Sequence, residues 1–139
     1  MAIEVDFDLS GLAGFGEQIK KLMDDMPDIM LELTNREANK AVGFIKEETP
    51  TGKTGLLKNS WHAEPPKKTG EEYKSDIVNN VEYASYVEYG HRTRKRKDGK
   101  RSWVPANPML IRGLQEYTDG MDDGMDDFLG KKMKQYLEG

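Results

Sequence analysis

The histidines of this sequence are His62 and His91, and it contains no cysteine. That leaves little from which to build a nucleophile, a general base or a transition-metal site. Ser60 and His62 flank Trp61, but nearness along a strand does not by itself make a dyad. Neither histidine has a helix-spaced metal partner or sits in a zinc-protease pattern. The stretch Thr51-Gly52-Lys53-Thr54 ends like a phosphate-binding loop. The earlier glycine that such a loop requires is absent, and a helix precedes the loop where a strand should. Asp119, Asp122, Asp123, Asp126 and Asp127 lack the ligand spacing and closing Glu of a calcium loop. On a helix they read as a solvated face. The expectation is a non-enzymatic protein with no catalytic residue, cofactor, metal or small-molecule substrate.

The sharpest charged feature lies between His91 and Arg101. Arg92, Arg94, Lys95, Arg96, Lys97, Lys100 and Arg101 stand there against the single acid Asp98. Asp98-Gly99 is a turn dipeptide, so the stretch reads as a hairpin arm. Such an arm either tracks a phosphate backbone or meets an acidic protein partner. Tyr89 and Trp103 flank the run without interleaving it, which argues against a stacking platform for single strands. Like charges and the lack of an apolar anchor predict a mobile arm over 91–101.

The elements that position the arm follow from periodicity. Leu12, Phe15, Ile19, Leu22, Met23 and Met26 recur at helical spacing after a possible N-cap at Ser10. Pro27 favours the first turn of a new helix, predicting a second one from about Pro27 to Glu48, with one kinked helix as the alternative. Thr49 to Gly55 is a turn-rich stop. Leu56 to Ser60 reads as one helical turn, Trp61 to Glu64 as a strand, Pro65 to Gly70 as a breaker, and Tyr73 to Asn79 as an alternating strand. Val81 to Tyr89 is a short helix ended by Gly90, or a strand. In the helical reading Tyr83, Tyr86 and Val87 bury together while Glu88 points away towards a cation. A last helix starts near Pro108 and carries Leu110, Leu114, Tyr117, Met121, Met125, Phe128 and Tyr136. Gly113, Gly120, Gly124 and Gly130 each weaken it by about 1 kcal/mol relative to Ala.

The 139 residues, at 15.8 kDa, suit one domain over 1–139 that buries roughly 15,000 Å². Leu, Ile, Val and Phe together number only 27, with eight methionines beside them. A thin core of this kind suits a subunit that gains stability from neighbours, and equally an ordinary small, polar domain. No export peptide and no membrane-spanning stretch is visible. Residues 1–48 carry 5 basic and 11 acidic side chains, a net of −6. Residues 49–112 carry 13 and 7, a net of +6, and residues 113–139 carry 3 and 7, a net of −4. Acidic ends and a basic middle either neutralise within one copy or pair head to tail between copies.

Three blocks of the chain resemble a known family. Lys46 to Ser60, with Thr54-Gly55-Leu56 at its centre, is similar to the passage "K…(A/T)P…TG.L..S" of tailed-phage neck and tail-component proteins. Val81 to Gly90, containing Tyr83, Ala84, Tyr86, Glu88 and Gly90, resembles their "V.YA.YVE(Y/F)G" segment. Trp103 to Leu110, with Pro105 and Pro108, resembles their "PA.P(F/M)L" passage into the last helix. The family is that of gene product ten of lambda-like phages, related in role to minor tail protein Z. The resemblance spans about residues 10–138. It implies an α+β subunit, with two N-terminal helices and a long C-terminal helix on a small antiparallel sheet with a protruding basic hairpin. It also implies a virion protein of a phage or prophage, made in the host cytoplasm. That protein would be a tail-completion or neck protein assembling as a ring, hexameric in the particle. Its neighbours would be head-completion, tail-terminator or tail-tube proteins, with passing DNA contact. A tail terminator, or a DNA-binding accessory protein acting through 92–101, is the alternative.

Overall fold

The computed structural model describes residues 12–138. Helix α1 runs from Leu12 to Glu48, 37 residues without a break and with Pro27 inside it, a length of about 55 Å. The two expected N-terminal helices are therefore one. A proline in a helix interior costs about 3 kcal/mol, and packing on both sides of it explains why the helix continues. Leu22, Ile29 and Leu33 are all buried in one cluster with Phe128. Breaking the helix at Pro27 would turn Leu22 away from that cluster. The possible cap at Ser10 lies outside the described residues. At the other end Thr49 is buried, donates its hydroxyl to the Ile45 carbonyl at 2.6 Å and accepts the Trp61 indole N–H at 2.9 Å. Pro50 follows and forbids a further turn.

Helix α4, Met109–Leu137, lies antiparallel along α1. Tyr136 donates its hydroxyl to Asp25 at 2.6 Å, Lys132 pairs with Glu32 at 3.1 Å, and Gly113 faces Ile45. Numbers thus fall along one helix as they rise along the other. Gly113 is where the backbones meet: a Cβ there would stand 2.5 Å from the Ile45 Cα. Two apolar clusters hold the pair. One is Leu22, Ile29, Leu33 and Phe128, the other Val42, Ile45, Leu57, Trp61 and Met109. Each side chain so buried contributes about 1.5–3 kcal/mol.

The chain between the long helices supplies a one-turn helix α2, Leu56–Asn59, and a second short helix α3, Ala84–Tyr89. It also supplies the strands β1 (His62–Ala63), β2 (Lys67–Thr69), β3 (Glu72–Lys74), β4 (Ile77–Val78), β5 (His91–Arg92) and β6 (Trp103–Val104). The class is α+β, as expected, but the single small sheet is replaced by separate two-stranded antiparallel ribbons, β1·β4, β2·β3 and β5·β6. The expected breaker at 65–70 forms β2 and turns through Gly70 into β3. The expected strand 73–79 is split, because the Ser75 hydroxyl and the Asp76 carbonyl both turn to the backbone of Glu64, at 2.7 Å each.

Candidate interaction surface

The basic run is a hairpin. His91 pairs with Val104 and Arg92 with Trp103. Beyond them the Thr93 amide donates to the Ser102 carbonyl at 2.8 Å, and the Ser102 amide to the Thr93 hydroxyl at 2.9 Å. The tip closes through Arg96 N–H to Lys100 C=O and Gly99 N–H to Arg96 C=O, both at 2.9 Å, with Asp98 accepting the Lys100 amide. Arg92, Arg94, Lys95, Arg96, Lys97, Lys100 and Arg101 are all exposed. Among the described residues, none of the seven forms an ion pair within 4.0 Å.

At the base of the arm the expected packing is reversed. Tyr83, Tyr86 and Tyr89 are 44%, 55% and 69% exposed, while Glu88 is buried at 5%. Val87 and Ala84 alone of that helix pack against the core. The cause is a polar one. Met109–Leu137 begins after Pro108 without a side-chain cap from its own flank, and Glu88 supplies it: its carboxylate accepts the amides of Leu110 at 2.8 Å and Ile111 at 3.3 Å. A charged acceptor at a helix N-terminus satisfies free N–H groups and the helix dipole together. The Val87 carbonyl also accepts the Asn107 amide at 2.7 Å. Gly90 has φ +79°, and a Cβ on it would lie 2.7 Å from the Val104 carbonyl and 2.9 Å from Trp103. Only glycine lets the arm leave α3 under the indole. The Tyr86 ring stands 5.3 Å from that of His91.

Of the other motif residues, Gly55 is buried at φ +69°, Leu56 is 54% exposed, and the Thr54 hydroxyl accepts the Leu56 amide at 3.2 Å. Tyr83 and Leu56 line one shallow depression together, so the first two blocks meet in space. Pro105 is exposed, whereas Pro108 and Leu110 are half-buried. Trp103 at 60% and Val104 at 38% extend the apolar surface of the tyrosines along the arm. His62 places its ring against the Ser60 carbonyl at 3.0 Å, while the Ser60 hydroxyl donates to Leu56. The two side chains are not a dyad. Among the described residues no cluster of histidines and carboxylates is arranged to hold a metal ion.

A second surface was not singled out from the sequence. Phe44, Glu47, Tyr117 and Met121 line a groove of about 330 Å³ between α1 and α4, with Gly43 and Gly120 in its wall. At its inner end Glu37 is buried and accepts the Tyr117 hydroxyl at 2.7 Å. Burial, then that hydrogen bond, pushes the Tyr117 phenol well up. Beside the groove the Glu116 carboxyl is raised, first by side-chain hydrogen bonding to Glu48, then by desolvation and the charges of Glu48, Glu47 and Asp119. The signal in the sequence was the pair of helical glycines, Gly43 and Gly120, each kept at a cost of about 1 kcal/mol.

No curated protein and no solved structure matches the chain. A family model does, over residues 13–90, which is more than half of the chain and holds both the Thr54-Gly55-Leu56 loop and the whole of α3, Ala84–Tyr89. The chain belongs to the family described as "Bacteriophage HK97-gp10, putative tail-component".

Proposed function

We propose that this chain is a structural tail component of a phage or prophage virion, a tail-completion or neck protein that joins tail to head by assembling as a ring. The observation that carries this reading is the arm: seven exposed cations without an ion-pair partner among the described residues, rooted in an exposed patch of Tyr83, Tyr86, Tyr89 and Trp103. Tyr, Trp and Arg are the residues that anchor protein interfaces. The arm and α4 lie beyond the matched residues 13–90, so the ring reading rests on their own chemistry. The sixfold symmetry comes from the family resemblance. Neighbouring head-completion, tail-terminator and tail-tube proteins are the partners that this position supplies. Among the described residues no helix is long and apolar enough to cross a membrane.

Mass measurement in solution, with and without assembled tails, tests the reading. A closed multimer in either state is expected, and a chain monomeric in both overturns it. A second reading, favoured by the arm's charge alone, is contact with DNA as it passes. Seven phosphate contacts would give a log–log salt slope of about −6. A slope near zero removes that reading.

A further inference from the structure

Resting on that ring, we propose that the arm's acceptor is the groove between α1 and α4 of a second copy. Trp103 of one subunit seats between Phe44 and Met121 of the next, and Arg92 and Arg101 meet Glu47 and Glu116.

The two surfaces match in shape and charge. Arg92 and Trp103 are direct cross-strand partners, so their side chains share one face of the hairpin. That face offers an exposed indole, 60% accessible, beside a guanidinium. The groove offers the converse: apolar walls from Phe44 and Met121, with Glu47 in its lining beside Lys40, whose ammonium is held by Glu37 at 3.5 Å. Its volume, about 330 Å³, lies at the small end of pockets that hold drug-sized ligands, enough for an aromatic side chain. A Cβ added at Gly43 or Gly120 would meet no atom within 4 Å, so nothing of the chain's own fills the space there. The carboxylates crowd one another as well. Glu116 feels the charges of Glu48, Glu47 and Asp119, a repulsion that an incoming cation relieves. Hairpin and groove are different patches, so their contact is heterologous, and a heterologous contact that closes makes a ring.

The test fills the groove. Gly120→Leu places a side chain where the subunit has open space and improves helix propensity, so the melting temperature of the subunit should hold or rise. Assembly should fall by about tenfold or more, the loss of one anchor. The second measurement uses the absence of cysteine. A chain carrying both Glu47→Cys and Arg92→Cys, oxidised in assembled tails, should give a ladder of disulfide-linked multimers. Arrest at dimers means a two-fold contact and overturns the proposal. Normal assembly by Gly120→Leu without cross-links overturns the groove while the ring stands. The same result with lost DNA retention in arm variants assigns the arm to DNA. A chain that never multimerises, even with tails, overturns the ring itself.

Discussion

Glu88 caps Leu110 across 22 residues of sequence, Oε2 to amide nitrogen, at 2.8 Å. This one bond fixes α3 against the start of α4 and, through Gly90, sets where the basic arm leaves the body. A buried carboxylate accepting two helix amides is a charge-assisted interaction worth about 1.5–3 kcal/mol. Glu88→Ala should lower unfolding stability by that amount in urea, and Glu88→Gln, which keeps one acceptor, by less. Unchanged denaturation midpoints for both would show that the cap contributes nothing.

The contrast between Glu88 and its neighbours marks the limit of what periodicity can read. Tyr83, Tyr86 and Val87 follow the i, i+3, i+4 rule, yet the buried side of α3 is set by a helix end more than twenty residues further on, and no local pattern carries that. Pro27 is a similar case, where packing on Phe128 in α4 keeps α1 continuous through a residue that locally argues for a break. The arm was legible because its cues are local: Asp98-Gly99 at the tip and cations throughout. The groove was not, since its walls come from residues more than seventy positions apart. Alternation gives strands but not partners, so the sequence predicts one sheet where the chain forms separate ribbons.

The glycines of α4 should divide. Gly113→Ala puts a Cβ 2.5 Å from the Ile45 Cα, and overpacking of a core contact costs about 1–3 kcal/mol. Gly130 has open space, so Gly130→Ala should gain up to about 1 kcal/mol from helix propensity. Thermal unfolding of the two variants checks this, and shifts of the same sign would contradict the close approach of α1 and α4.

Stability should carry a pH signature from Glu116. Its carboxyl is raised above the usual 4.5, chiefly by side-chain hydrogen bonding to Glu48, so the folded state binds the proton more tightly than the unfolded one. Stability therefore falls as pH rises from 4.5 through the raised value, and the loss persists above it. Glu116→Gln removes the titrating group, and the difference between variant and parent melting temperatures should widen in the variant's favour across that window. Parallel curves would mean that the Glu116 carboxyl is not raised in the folded state.

Aromatic truncation separates the surface from the core. Tyr86 is 55% exposed, so Tyr86→Ala should leave subunit stability within about 0.5 kcal/mol of the parent. Its effect belongs to assembly, where an exposed aromatic at the root of the arm acts as an anchor. Trp61 is 6% exposed, packs with Val42, Ile45, Leu57 and Met109, and donates its indole N–H to Thr49. Trp61→Ala should cost about 3–5 kcal/mol. Trp61→Phe should cost less, since the ring is largely kept and the hydrogen bond to Thr49 is what goes. Urea melts of the three variants, read beside tail joining, decide the matter. A large loss of stability in Tyr86→Ala would return that tyrosine to the core, and normal tail joining by it would remove the tyrosine patch from the interface.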